Sequence, residues 1–239
     1  MLVKYCKREH NILRRCRTIR LGTLMSYCAD DPDFLRRDPE EGHFSVSKEP
    51  GIELTGKRAA EYTGMGWDNI EIASGAKVVR SESFPNCFIY CLSQTTPSIA
   101  LARMIDPCYN DWFGIVDKNG FISRLGELLI EQMRLTDLEL PSSVSFSDLG
   151  IHTFYNSVAY GGRHVVLDHK NFDEAIGPIR DPVRRLFLKP SGHQNIKEYR
   201  IAFVITDNDG RTIRVKTKAK NIQLMRSDPI LSAVTHVLA

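Results

Sequence analysis

The residues best suited to chemistry lie in the last alternating stretch of the chain, where a single carboxylate sits among cations. Lys197-Glu198-Tyr199-Arg200-Ile201-Ala202-Phe203-Val204-Ile205 alternates with the period of a strand. Asn208-Asp209-Gly210 then makes a three-residue turn with its glycine in the left-handed conformation, and Arg211 to Lys220 returns as a second strand. The register this predicts pairs Phe203 with Val215 and Ile201 with Thr217 on one face. The other face sets Glu198 opposite Lys220, Arg200 opposite Lys218 and Val204 opposite Arg214. One carboxylate then shares its face with a ladder of cations, Arg200, Arg214, Lys216, Lys218 and Lys220. Such a surface suits an anionic partner, nucleic acid above all. Glu198 is there either a reactive group or half of a cross-strand ion pair with Lys220, worth under about 1 kcal/mol if exposed.

Two more groups extend the reactive set. Arg20 supplies a guanidinium, whose planar fork can bind a phosphate through two bonds; its plainer role is as one more cation of a basic N-terminus. Ser93, followed by Thr95 and Thr96, supplies a short hydroxyl, and otherwise only ends a strand in a turn.

The elements that must hold these groups follow from pattern. Thr18 to Leu24 reads as a strand carrying Arg20, after a short helix that ends within Ile12 to Arg17. Cys87-Phe88-Ile89-Tyr90-Cys91-Leu92-Ser93 is nearly continuous in apolar residues, as in a strand buried on both faces. Pro97 opens a short helix through Met104. Phe121, Leu125, Leu128, Leu129 and Met133 recur at helical spacing. Asp30 to Gly42 is an acidic loop, and Asn69 to Ala73 with Ala76 to Arg80 reads as a hairpin across Ser74-Gly75. Thr153 to Tyr160 and His164 to Asp168 read as strands, and Phe172 to Phe187 as helix broken by Pro178 and Pro182. A last short helix begins at Ser227-Asp228-Pro229. Strands and helices intersperse without regular βαβ alternation, which predicts an α+β fold.

Composition narrows the class. The 239 residues are enough to bury a core, and the net charge of +3 does not by itself mark a nucleic-acid binder. Its distribution says more: residues 1–20 hold seven Lys/Arg and one acid, Asp30 to Glu41 is acidic, and basic residues return at Arg211 to Lys220. The six cysteines show no Cys-x-x-Cys pair, and free thiols are expected. His164 and His169 flank Asp168 but fall on opposite faces of a strand, so no metal site is expected there. No Gly-x-Gly-x-x-Gly or phosphate-loop lysine follows a strand. Met1 to His10 does not read as a signal peptide, no window approaches the ~18 apolar residues of a membrane span, and a cytoplasmic protein is expected.

The order of these groups, an arginine in an early strand, a strand ending in hydroxyls, then a glutamate, resembles the arginine–serine–glutamate pattern of ADP-ribosyltransferases. The wider layout is similar to bacterial ADP-ribosyltransferase-like proteins of toxins and anti-phage systems. Its parts here are the strand ending Gly22-Thr23-Leu24, the acidic Arg37-Asp38-Pro39-Glu40-Glu41-Gly42, the strand Cys87 to Ser93, and Lys189-Pro190 to Glu198-Tyr199-Arg200. The resemblance spans most of residues 4–205. It implies one domain over residues 1–239, a split, mostly antiparallel sheet with peripheral helices, NAD as co-substrate and no metal. It assigns catalysis to Glu198 and NAD binding to Arg20, Thr23, Tyr27, Ser93 and Tyr109, with Tyr27, Tyr109 and Phe113 as alternatives for stacking on nicotinamide.

One departure matters. Ile196 stands two positions before Glu198, where many protein-modifying members carry a second acid, which weakens the case for protein arginines and leaves nucleic acid, other side chains or hydrolysis of NAD open. The cationic face of Arg214 to Lys220 and the basic N-terminus then favour nucleic acid, RNA ahead of DNA. The resemblance further implies a toxin of phage defence restrained by a partner protein, an antitoxin. A non-catalytic nucleic-acid-binding module, an NAD glycohydrolase and a protein-directed ADP-ribosyltransferase are the alternatives.

Overall fold

The computed structural model describes residues 1–14, 16–28, 38–66, 69–216, 221–225 and 228–237. In chain order the first strands are β1 (Leu2–Cys6), β2 (Thr18–Thr23), β3 (His43–Lys48) and β4 (Leu54–Thr55). Helix α1 (Gly56–Thr63), β5 (Glu71–Ile72), β6 (Val79–Ser83) and β7 (Phe88–Ser93) follow. Then come α2 (Ile99–Ile105), β8 (Asp111–Ile115), α3 (Lys118–Gln132), β9 (Gly150–Ser157), β10 (Ala159–Tyr160) and β11 (His164–Leu167). The chain closes through α4 (Phe172–Arg180), β12 (Leu188–Lys189), β13 (Glu198–Thr206), β14 (Thr212–Ile213), β15 (Asn221–Met225) and β16 (Val234–Thr235). The fold is α+β with mostly antiparallel pairing. No helix among the described residues is long and apolar enough to cross a membrane.

These elements form two compact units, each from separate stretches of chain. The first comprises Met1–Glu41, Pro85–Ala159 and Gly192–Ala239; the second comprises Gly42–Phe84 and Tyr160–Ser191. Because the chain enters and leaves the second unit twice, no single linker marks a boundary in the sequence.

Nine strands make the sheet of the first unit among the described residues. Its centre is β13 and β7, antiparallel, with Glu198 opposite Ser93 and Phe203 opposite Phe88. β9 runs along the other edge of β13 from Tyr199 to Thr206. The free edge of β7 is shared by two strands: β2 pairs at Phe88 and Ile89, and β1 pairs at Ser93. From that fork one branch runs through β1, β8 and β16 and the other through β2 and β15. A fork leaves backbone groups of β7 without a ladder partner, which is costly when buried. Lys4 on β1 answers this: its Nζ donates to the Cys91 carbonyl at 2.9 Å and lies 4.3 Å from the centre of the Tyr90 ring.

Helix α3 explains why one face of this sheet is apolar. Asp117 caps it by accepting from Gly120 N at 2.9 Å, and Phe121, Ile122, Leu125, Leu128 and Leu129 are buried at helical spacing. They pack on Phe88, Tyr90, Leu92, Tyr199, Ile201 and Phe203. Each such side chain contributes about 1.5–3 kcal/mol when fully buried. On the opposite face α2 brings Ala102 and Ile105 to Val3, Tyr5 and Ile196.

The second unit is built on β3, which pairs in parallel with β11 and antiparallel with β6. Phe44, Val46 and Tyr62 pack with Phe172, Ala175 and Ile176 of α4, and the Tyr62 hydroxyl donates to the Val46 and Val78 carbonyls at 3.1 and 2.6 Å.

Three expectations need correction. Ile12 to Arg14 is a turn, with a short 3-10 helix before it at Arg8–His10. The segments around Ser74-Gly75 do not pair with each other: β5 pairs with β4, and β6 pairs with β3. Helix α1, which carries no long apolar stripe, has no counterpart in the sequence pattern. Its apolar positions are small or single, Ala59, Ala60 and Tyr62, within eight residues.

Candidate functional site

Side-chain parity decides what gathers on the α2 side of the sheet. Register places Ile89, Cys91 and Ser93 of β7 on one face with Glu198, Arg200 and Ala202 of β13. Gly22 is opposite Ile89, so Gly22 and Arg20 of β2 share that face, and Val3 opposite Ser93 brings β1 onto it. Arg20, Ser93 and Glu198 therefore lie on one face. Ser93 and Glu198 are direct cross-strand partners, a separation of about 5 Å between Cα atoms. Arg20 is exposed, on the branch of the fork, opposite Gln223 of β15.

Three strand ends meet around Glu198. Lys197, just before it, has φ 46°, the sole non-glycine residue with positive φ among those described. A left-handed lysine costs about 1 kcal/mol and is held by its neighbours. Its N–H donates to the Gln194 carbonyl at 3.1 Å, and its carbonyl accepts from Gln94 N at 2.8 Å. The Gln94 Oε1 accepts from the Ser157 hydroxyl at 2.7 Å, and Val158 N donates to the Glu198 carbonyl at 2.9 Å. Ser93 and Glu198 are thus tied together through the residues beside them. Tyr5 organises the loop that follows: its hydroxyl is 3.2 Å from that of Thr95 and accepts from Ser98 N at 3.3 Å.

Glu198 is buried, and its carboxylate is tied to Arg200 on the same strand. Arg200 Nε and Nη2 both reach Glu198 Oε1, at 2.9 and 2.8 Å, while Nη1 donates to Glu41 Oε1 at 2.7 Å. The side chains of this trio are between 0 and 5% exposed. Burial works against the charge of Arg200, but the Glu198 and Glu41 carboxylates reverse this and hold its guanidinium well above the ordinary range. Beneath it, burial pushes the Cys87 thiol up to about 12, so that sulfur is a neutral, unreactive neighbour.

The cation ladder is therefore corrected. Arg200 is fully buried and faces two carboxylates, so it offers no surface to a nucleic acid. The turn is as expected, with Gly210 at φ 76° and Asp207 Oδ1 accepting from Asp209 N and Arg211 N at 3.0 and 2.8 Å. Its register is also the expected one, Ile205 opposite Ile213 and Thr206 opposite Thr212. The pairing ends there, because β7 holds that edge of β13 from Glu198 to Phe203. Val215 instead bridges Leu138 and donates to the Asn86 carbonyl, so it never meets Phe203. Arg214 and Lys216 are exposed, the latter donating to the Thr136 carbonyl at 2.8 Å. Thr217, Lys218 and Lys220 lie outside the described residues.

Of the residues assigned to NAD, Tyr27 lies against the face that carries Glu198. The 3-10 turn Leu24–Tyr27 brings its ring over Gly22, where a Cβ would sit 3.0 Å from the ring and 3.1 Å from the hydroxyl. A side chain there would press on the ring, so glycine suits that approach on the face of Glu198. Thr23 is corrected: it pairs with Phe88, points to the opposite face, and its buried hydroxyl caps the turn by accepting from Ser26 N at 3.2 Å. Tyr109 packs, half-buried, with the Val3, Tyr5 and Ala102 cluster on the Ser93 side. Phe113 is in the core beneath α3 and cannot stack on a ligand.

Glu41 belongs to this trio although no local pattern announces it; the acidic Asp38-Pro39-Glu40-Glu41 motif is visible in the sequence, but the partner of Glu41 lies 159 residues away. Among the described residues no group of three or more His, Cys, Asp or Glu is placed to hold a metal ion. No protein-family model, curated protein or solved structure matches this chain.

Proposed function

We propose that this chain transfers ADP-ribose from NAD to a nucleic acid, RNA ahead of DNA. The observation that supports this most directly is Ser93 opposite Glu198 on the same sheet face that carries Arg20. In this reading the exposed Arg20 guanidinium holds the cofactor's phosphates and Tyr27 over Gly22 walls the nicotinamide end. The Ser93 hydroxyl braces the nicotinamide ribose. The Glu198 carboxylate faces the ribose carbon as its bond to the nicotinamide nitrogen breaks, and its charge stabilises the positive ribose that develops. The bonding pair leaves with nicotinamide. A nucleic-acid nitrogen or oxygen then bonds that carbon and releases its proton to solvent.

The acceptor class rests on the exposed cations Arg214 and Lys216 and on the basic N-terminus. There an open cleft of about 740 Å³ is lined by Arg8, Glu9, Leu13, Arg14 and His236. An enzyme of this kind attacks its own cell's nucleic acid unless restrained, so a neutralising protein partner belongs to the proposal.

The test is incubation with NAD labelled in its adenylate half, with cellular RNA, DNA and protein present. Release of nicotinamide and label on RNA are expected, and Glu198→Gln lowers both by at least about a hundredfold. Full turnover by Glu198→Gln, or no nicotinamide release by the unaltered protein, overturns the reading. Nicotinamide release with no labelled macromolecule would make the protein a hydrolase of NAD instead.

A further inference from the structure

We infer that Arg200 and Glu41 are positioning residues that act on Glu198 in opposite senses: Arg200 aims and charges its carboxylate, and Glu41 competes for the same guanidinium. The inference rests on the proposed role of Glu198. Its geometry is that all three nitrogens of one guanidinium are engaged, two on Glu198 Oε1 and one on Glu41 Oε1. A buried carboxylate with no cation at hand takes up a proton, so the Arg200 guanidinium bonded to Glu198 favours its ionised, fixed form. The planar fork also fixes direction, because Nε and Nη2 converge on one oxygen and hold it near the guanidinium plane. Glu41 brings a second carboxylate to the same guanidinium in the same buried place. The two carboxylates repel each other, and removing one leaves the guanidinium to the other.

Among the described residues, several groups stand beside the trio on the elements packed against it. Cys91 on β7 is the cross-strand partner of Arg200, and Cys87 farther along that strand is held neutral by burial. Asn156 on β9 stands opposite Arg200 and carries no charge, while His152 lies opposite Val204, four residues farther along β13. Asp38, buried three residues before Glu41, accepts from Glu40 N at 3.2 Å. Lys4 is occupied with the Cys91 carbonyl.

Opposite signs make the inference testable. Arg200→Lys replaces the fork with a point charge that cannot serve both carboxylates. The acidic limb of the pH profile for nicotinamide release should move up by about one pH unit or more, with kcat falling more than KM changes. Glu41→Gln keeps the shape and removes the competing charge, so the limb should move down, or stay where it is with kcat preserved at low pH. A merely structural role lowers activity at every pH, and in the same direction for both variants; that result, with both proteins folded by circular dichroism, overturns the inference.

Carbon NMR of glutamate carboxyls, with Glu198 assigned from the spectrum of Glu198→Gln, reads the same balance without NAD. Its titration midpoint should rise in Arg200→Lys and not in Glu41→Gln. At neutral pH the Glu198 carboxyl resonance should move in Glu41→Gln, because the guanidinium the two share is left to one of them; an unchanged resonance overturns the coupling. Failure of NAD turnover alone would remove the proposed function and leave this charge balance standing or falling on the NMR result.

Discussion

The two units of this chain each contain a cluster of three charges, built from the same parts in opposite ratio. In the first unit one guanidinium, Arg200, lies between two carboxylates, with side chains 0 to 5% exposed. In the second unit one carboxylate, Glu82, lies between two guanidinium groups: Arg80 Nη2 reaches it at 2.8 Å and Arg185 Nη1 at 3.5 Å. Glu82 keeps 35% of its side chain in solvent, and Arg80 also donates to the Glu61 and Tyr62 carbonyls at the end of α1, at 2.8 and 3.2 Å. That cluster has a structural explanation in full: it closes a helix end and joins it to β6, and water shares the work. The buried cluster also joins distant segments, β13 and the stretch that ends at Glu41, but it does so on the face that carries Ser93, where desolvation makes every charge expensive. A buried ionic trio is poor material for stability alone and good material for holding a carboxylate in one place.

Breaking each cluster at its centre should separate them most. Arg200→Met strands two buried carboxylates and is expected to cost about 3–5 kcal/mol, read as a fall in urea midpoint. Arg80→Met loses a partly exposed pair and two hydrogen bonds and should cost about 1–2 kcal/mol. Equal losses would erase the distinction drawn between the units.

Acid should sharpen it next. Burial raises the Glu82 carboxyl, but Arg80 and then Arg185 outweigh this and hold it below the ordinary range. A carboxyl depressed in the folded state contributes stability above its unfolded value of about 4.3 and loses it as pH falls through the lower folded value. The difference in melting temperature between the unaltered protein and Glu82→Gln should be flat from neutral pH to about pH 5.5 and shrink toward pH 3. A difference that grows on acidification would refute the assigned sign.

Salt should give the smallest effect. Raising ionic strength from about 0.1 M to about 1 M shortens the screening length from about 10 Å to about 3 Å and should weaken the Glu82 cluster by a few tenths of a kcal/mol. The same change should leave the effect of Arg200→Met nearly unaltered, because its guanidinium is buried between two carboxylates. A salt-sensitive Arg200 would mean that its guanidinium is not buried.

Local features are legible in the sequence. The turn at Asn208-Asp209-Gly210 and the register of Ile205 with Ile213 follow from turn chemistry and alternation, which act over a few residues. The apolar run of β7 announces a strand buried on both faces, and the spacing from Phe121 to Leu129 announces α3. Helix α1 and the pairing of β5 and β6 are not legible, since short elements with one or two apolar positions carry almost no periodic signal. Thr23 and Phe113 are misplaced for a related reason: adjacent positions on a strand point to opposite faces, and only the register with β7 and β1 shows which face holds the site.

By itself the sequence determined the reactive residue types, their order, and the local shapes that carry Arg20, Ser93 and Glu198. It left undecided whether Glu198 and Arg200, two apart on one face of a strand, look out to water or into the protein, because alternation reads the same either way. Tertiary structure decided that by placing β7 and β9 on the two edges of β13 and burying both its faces. Only then does a carboxylate from Glu41, 159 residues from Arg200, reach the same guanidinium. Alternation is a property of neighbours in the chain, whereas the partner of a buried charge is chosen by whichever element is packed against it.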